Sequence, residues 1–527
     1  MKKIFIIIAL AFWVFAAESQ QISNLQQRKL NDVLNAIGRS YVDTINEKKL
    51  VEDAINGMLK ALDPHSAYIP PEEVERVNEP LQGGFDGIGI QFQMFEDTLL
   101  VVQTIAGCPA EKVGVLPGDR IIYVDQTLIA GVKKQNSDIM KLLRGRRGTE
   151  VEVSIKRSGE KNLLKFNIIR DKIPIYSVDA NYMINNDIGY IKINSFGANT
   201  LKEFEDALVG LKEKGMKSLI LSLQGNGGGY MQSAFMLADH FLSGNKLIVY
   251  TQGSKMPRNV MQARTTGLFE SGRLIVLVDE YSASASEIVA GAVQDWDRAI
   301  IVGRRTFGKG LVQSQMPLSD GSQLRLTTAR YYTPSGRSIQ KPYKIGSGEE
   351  YGKDLDARYE HGELFHSDSI HFPDSLKYKT LTLGRTVYGG GGIMPDIFVP
   401  FDTTQYTGFY RRVNARGLIN KLIVRYVNEN REKLKKNYPD FESYEKNFEA
   451  GDELIKQLRE EALKAEIPVD EKQVSISAPL IKLLIKARIA GDMWTTNEFY
   501  KIIDTENKSL QKAIEILQTN TYEKILK

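Results

Sequence analysis

Arg273-Leu-Ile-Val-Leu-Val-Asp279 is followed by Ser282-Ala-Ser-Ala-Ser-Glu287 and Ile288-Val-Ala-Gly-Ala-Val293, and the architecture can be worked out from this run. The unbroken branched apolar run reads as a buried strand. The segment after it has no Pro and suits a helix, so Ser284 falls on a strand-to-helix turn. Ser284 and Glu287 also have the S-x-x-E spacing of a capping box. A hydroxyl at such a turn stands clear of the sheet end, beside helix N-terminal N–H groups that can hold a negative oxygen. Small residues that merely pack a helix start are the structural alternative.

A serine nucleophile needs a base. The five histidines, His65, His240, His361, His366 and His371, all lie far from this turn in sequence. A lysine can serve if burial keeps it neutral, because desolvation disfavours the charged form. Lys309 stands between glycines in Thr306-Phe-Gly-Lys-Gly-Leu-Val-Gln313, where backbone can approach closely. Taken alone, it also reads as a surface loop charge.

Ser282-Ala-Ser-Ala-Ser-Glu287, with Lys309 25 positions after Ser284 and Gln313 four further on, resembles the carboxyl-terminal processing peptidases, or tail-specific proteases. Leu62-Asp-Pro-His-Ser-Ala-Tyr68, Gly84-Phe-Asp-Gly-Ile-Gly-Ile90, Ala329-Arg-Tyr-Tyr-Thr-Pro-Ser-Gly336 and Gly392-Ile-Met-Pro-Asp396 are similar to further family signatures, in family order. The resemblance spans about residues 25–400. It implies a serine endopeptidase with a Ser284/Lys309 dyad assisted by Gln313, and an oxyanion hole made by the amides of Gly228 and Ala285. Metals and organic cofactors are not implied. The family usually carries Asp-Leu-Arg before its glycine loop, where this chain has Ser222-Leu223-Gln224. Two charges are lost together, which puts loop rigidity in question more than chemistry.

The 527-residue chain is long enough for about three domains, with ordinary charged (25%) and hydrophobic (42%) fractions and a net charge of +4. No basic run interleaved with aromatics points to nucleic acid. Residues 1–17 combine a basic start, an apolar run and small residues at the end, which predicts a signal peptide cut after Ala16 or Ala17. The expected location is periplasmic; an uncleaved membrane anchor is the alternative, for which the run is short. The single cysteine, Cys108, excludes internal disulfides and reads as a small buried residue.

The expected architecture is multidomain, α/β and α+β. Residues 18–80 form an N-terminal helical segment, with helical periodicity over 22–78 stopped by Pro64 and Pro70-Pro71. Residues 81–172 carry short alternating strands and a helix from Ser137 to Leu143, an order similar to a PDZ domain. The resemblance makes Gly87, Ile88, Gly89 and Ile90 the loop that holds a substrate's C-terminal carboxylate through successive N–H groups. Arg144, just after the helix, adds charge there or touches the catalytic core. Residues 173–400 alternate strands and helices as a mixed α/β protease core, with Thr200 and Glu203 as a capping box. Inside it, Gln224-Gly-Asn-Gly-Gly-Gly-Tyr230 lacks both the dinucleotide-binding and the P-loop patterns. Residues 341–388 read as a polar surface insertion whose His361, His366 and His371 are solvated rather than metal ligands.

Residues 401–527 read as a helical extension, with amphipathic helices at 418–426, 444–465, 477–490 and from 510. Their apolar faces must bury against the core or a second subunit; the resemblance implies dimer contacts through the N-terminal segment, so a homo-oligomer through the N- and C-terminal helices is expected. The expected function is exported endopeptidase, taking protein or peptide substrates by their C-terminal tails. Two other functions compete: a catalytically impaired PDZ scaffold, and another Ser/Lys amide hydrolase. The latter class wants lysine three residues after the serine, where this chain has Glu287.

Overall fold

A computed structural model describes residues 22–264, 266–346 and 348–526; the expected signal peptide lies outside them. The centre is a six-stranded sheet in the order Val178–Met183, Ile188–Ile193, Ser218–Ser222, Arg273–Val278, Ile300–Gly303, Ile397–Phe398. Its first pair is antiparallel and the rest are parallel. Parallel strands are covered on both faces, which is why Arg273–Val278 is an unbroken apolar run rather than an alternating one. Helices Thr200–Glu213, Met231–Asp239 and Ala285–Asp295 contribute to the core on one face. Lys508–Gln518 and Thr521–Ile525 cover the other with Leu510, Ala513, Ile516, Leu517 and Tyr522.

A second, five-stranded sheet carries much of the site. Its long strand Gln323–Tyr332 pairs with Ala67–Ile69, Leu247–Gln252 and Leu311–Pro317. The strand at 247–252 therefore leaves the alternation expected of it and joins this sheet instead. Its Tyr250 faces Tyr332 across the pair, ring on ring at 4.8 Å.

The N-terminal helices are Asn24–Ser40 and Glu47–Lys60, followed by the short strand and a third helix, Pro71–Gln82. Pro70-Pro71 thus begins a helix rather than ending one, because proline at the first helical position costs no hydrogen bond. Thr200 opens its helix behind Asn199, and Glu203 does not close a box on it. Its carboxylate instead accepts from the Ser177 and Val178 amides, at 2.7 and 3.0 Å.

Gly84–Gly87 pairs with Asp171–Pro174 as a two-stranded neck where the chain enters and leaves the 90–169 sheet. That sheet encloses its own core, including Leu99, Val101, Ile121, Ile139, Val153 and Ile168. Cys108 is buried. The extension breaks at Phe448–Gly451 into Phe441–Asn447 and Asp452–Lys464, where a single helix over 444–465 was expected. Residues 409–503 bury most of their apolar faces in a separate helical core. Among the described residues no helix is long and apolar enough to cross a membrane.

Candidate active site

Ser284 ends the turn after Arg273–Val278 with φ +55° and ψ −112°. A non-glycine residue there costs about 1–3 kcal/mol, which surrounding contacts must offset. Glu287 supplies several of those contacts. Its side chain is fully buried, and one carboxylate oxygen accepts from the Ser284 N–H (2.8 Å) and the Lys309 N–H (2.9 Å). The other accepts from Thr306 Oγ1 (2.5 Å) and the Gly308 N–H (2.8 Å). One carboxylate thus fastens the serine turn to the lysine turn. Burial pushes its pKa up to about 7, against the pull of the four donors.

Tyr331 adds a second tie. Its hydroxyl lies 3.1 Å from the Ser284 carbonyl and 2.8 Å from that of Lys309. Burial pushes the phenol well above its ordinary pKa, so it stays a donor. The signature Ala329–Gly336 marked this segment in the sequence; the role of its first tyrosine needs the sheet register to be seen. Glu287 stood in the sequence only as a cap, and its hold on Lys309 is a long-range contact that spacing does not encode.

Lys309 is mostly buried, which lowers its pKa; Arg325 lowers it further, and Glu287 and Asp63 oppose. Gln313 does not reach it here. The Gln313 amide donates to Thr327 Oγ1 (3.3 Å), which donates to Asp63 Oδ1 (2.9 Å). The bulge between Val312 and Gln313 turns the side chain along the sheet toward that partner. Asp63 also accepts from the His65 and Ser66 amides and the Ser66 hydroxyl. Burial works to raise the Asp63 carboxyl, and these donors outweigh it, leaving it lowered. The Leu62–Tyr68 signature therefore builds one wall of the lysine's surroundings.

Gly228 lies against the nucleophile. A Cβ on it would stand 2.8 Å from the Ser284 Cβ, and its φ of +104° suits only glycine. Its N–H, expected to face an oxyanion, donates instead to Asn226 Oδ1 at 2.9 Å. The Ala285 N–H, at the first turn of its helix, has no acceptor among the described residues. Of the two expected donors, only Ala285 is free in this arrangement.

The uncharged Ser222-Leu-Gln224 replacement is met by the C-terminal extension. Ser222 is fully buried. Gln224 Oε1 accepts from Asn507 Nδ2 (2.9 Å), and its carbonyl accepts from Lys192 Nζ (2.9 Å). The Gly225 N–H donates to both Asp279 oxygens at 3.0 Å. The loop whose rigidity is in question is restrained at Gln224 and Gly225.

In the 81–172 segment, the Ile88 and Gly89 carbonyls accept from the Ala110 and Ile105 amides, at 2.8 and 2.9 Å. Gly89 has φ +80°, and a Cβ there would come within 2.3 Å of the Cys108 Cβ. Arg144 reaches neither this loop nor the catalytic turn. It pairs with Glu79 at 2.5 Å and lies over the Phe85 ring, joining the small domain to helix Pro71–Gln82. His361, His366 and His371 are exposed.

Comparison with known proteins gives the family. The profile of peptidase family S41 matches residues 187–346, a PDZ domain profile residues 87–168, and the N-terminal domain of the activating protease CtpB residues 14–73. A carboxy-terminal-processing protease of Bartonella bacilliformis is 38% identical over 328 residues, 61% of this chain and 74% of its own. The chain belongs to the carboxy-terminal processing proteases of peptidase family S41. Carboxy-terminal processing protease CtpA of Bacillus subtilis is 35% identical over 344 residues, 64% of this chain and 73% of that one. A solved photosystem II D1 C-terminal processing protease is 27% identical, with TM-score 0.36, covering 72% of this chain and 94% of its own. This processing protease is a serine-type peptidase with a peptide-binding PDZ domain. Residues 409–495 match a family of unknown function.

Proposed function

We propose that this processing protease is an exported endopeptidase using a Ser284/Lys309 dyad on protein substrates taken by their C-terminal tails. The observation that carries the dyad is the single buried carboxylate, Glu287, bound to the backbone N–H of both residues. Lys309, whose pKa is lowered by burial and by Arg325, takes the Ser284 proton in its deprotonated form as Oγ attacks the scissile carbonyl. The ammonium then protonates the leaving amine, and water releases the acyl group by the reverse proton path. The Ala285 N–H stabilises the oxyanion, joined by the Gly228 N–H once it leaves Asn226. Gln313 acts at one remove, holding Thr327 and through it the Asp63 wall beside Lys309. The test is to incubate the enzyme and its Ser284→Ala form with unfolded proteins of varied C-termini and identify products by mass. Cleavage by the first alone supports the reading, and equal cleavage by both defeats it.

Tail recognition rests on the 87–90 loop, where Gly89 adopts a conformation closed to residues with a Cβ. Binding energy gained there, remote from the bond cut, can be used to assemble the catalytic groups. Amidating the C-terminus of a long peptide is expected to slow its cleavage about tenfold, with kcat falling as well as kcat/KM. Gly89→Val is expected to act alike on free-acid peptides. Equal rates for the amide and the acid would remove the loop from recognition and leave the dyad untouched.

Export rests on residues 1–17 alone. Expressed with its full N-terminus in a Gram-negative host, the protein is expected in the periplasm, shortened by 16 or 17 residues. Full-length protein in the membrane fraction would instead show an anchor. Homo-oligomer formation follows the same line of proposal, since helix Asn24–Ser40 has no buried residue and leaves Leu25, Leu30 and Val33 exposed.

A further inference from the structure

The insertion at 341–388 is not the surface ornament its composition suggests. Lys341, Tyr351, Arg358 and Leu364 are buried, and the first three close on the turn that carries Lys309. Arg358 donates to the carbonyls of Arg305 (2.6 Å) and Thr306 (3.1 Å). The Lys341 N–H donates to the Gly308 carbonyl at 2.9 Å. Next to the insertion, Gln340 Oε1 accepts from the Gly310 N–H at 2.8 Å. The Lys341 ammonium lies 3.9 Å from the Phe307 ring centre and 4.0 Å from that of Tyr351, paired with Asp354 at 3.0 Å. Buried carbonyls left without donors cost about 1–3 kcal/mol each, so these contacts decide the turn's shape.

Tyr351 is where this layer meets the rest of the site. Its hydroxyl lies 3.1 Å from His65 Nε2 and 3.3 Å from Gln340 Nε2. Its ring meets those of His65 and Phe307 edge-on, at 5.0 and 5.8 Å. One phenol therefore joins the Leu62–Tyr68 wall to the residue that holds Gly310.

We propose that the 341–388 insertion is a positioning element for Lys309, with Tyr351 as the residue that links it, through His65 and Gln340, to the lysine turn. This rests on the reading of Lys309 as the base. The insertion fixes three carbonyls of the 305–308 turn, the backbone that leads into Lys309. The charged and titratable groups around Lys309 are Glu287 from the helix after Ser284, Arg325 from the long strand, and Asp63 and His65 from the N-terminal wall. Lys341, with Tyr351 and Asp354, adds the insertion's side of the cluster. Burial holds His65 near a pKa of about 4, so it stays neutral through the working range. Asp354 opposes the burial that lowers Lys341. Because burial is the first cause of the lowered Lys309 pKa, loosening the turn that places this side chain moves that pKa back toward the ordinary value.

The test is Tyr351→Phe, which keeps the ring on Lys341 and Phe307 and removes only the hydroxyl. Turnover of a short peptide is expected to fall about tenfold with KM unchanged, as small misplacement of a catalytic group does. The acid limb of the kcat/KM profile is expected to move to higher pH. Arg358→Lys, which can serve only one of the two carbonyls, is expected to move the limb the same way. A merely structural role lowers the folded fraction and scales the rate without moving the limb. A wild-type profile in both variants, or a lower melting temperature with an unmoved limb, overturns the proposal. Lys309→Ala run alongside separates the two readings: if it stays active, the base assignment fails; if it is dead while Tyr351→Phe keeps the wild-type limb, only the insertion's role fails.

Discussion

Ser284→Ala and Lys309→Ala are each expected to lower kcat by about 10⁴-fold or more while leaving the fold intact, and the double variant to be no worse than either. The non-additivity follows from the geometry. Serine and lysine turns share one carboxylate and one phenol, so they act as a unit, and removing either partner removes the proton path. The ties to Glu287 and Tyr331 run through backbone groups, which alanine retains, so the two turns stay joined in either variant. The wild-type rate is expected to fall as pH drops through the lowered Lys309 pKa, since the base must be deprotonated to accept from Ser284. A Lys309→Ala enzyme that still turns over, or a flat profile down to mildly acidic pH, would rule out lysine as the base.

How much of this could be read from the chain depends on whether a contact is local. The strand-turn-helix around Ser284 was legible because a buried parallel strand, a small-residue turn and an S-x-x-E spacing all lie within about twenty residues. The side-chain period of the strands and the glycine-rich turns likewise gave the separate 90–169 sheet. What the chain concealed are pairings across hundreds of positions. Tyr351 meets His65 across 286 residues, and Asn507 meets Gln224 across 283. The same blindness explains the insertion. A segment rich in Tyr, Gly and Asp looks solvated by composition, yet its Lys341 and Arg358 are buried because aromatic faces and main-chain carbonyls take the place of water. Gln313 shows the converse case. Its spacing from Lys309 placed it in the right neighbourhood, and a one-residue bulge in the strand pair decided that it faces Thr327.

Glu287 offers the sharpest test of how the site is held, because its isosteric replacement is not benign. A carboxylate can accept from all four of its donors, Ser284 N–H, Lys309 N–H, Thr306 Oγ1 and Gly308 N–H. In Glu287→Gln one oxygen becomes an NH₂, which points donor against donor at two of those four positions. Each buried donor left unsatisfied costs about 1–3 kcal/mol, so the variant, with two of them, is expected to lose about 2–6 kcal/mol in the protease core. At about 2–4 °C per kcal/mol for a core of this size, the melting transition is expected to fall by several degrees. Turnover is expected to fall at least a hundredfold, because the lost ties are those that set Ser284 against Lys309. The pH dependence of stability supplies the control. The folded carboxyl is raised from 4.5 to about 7, so its contribution is full below pH 4.5 and is lost as pH rises through about 7. Glutamine does not titrate, so that decline between pH 4.5 and 7 is expected to disappear from the variant's stability profile. A Glu287→Gln enzyme with wild-type turnover and an unchanged stability profile would mean that this carboxylate does not hold the serine and lysine turns together.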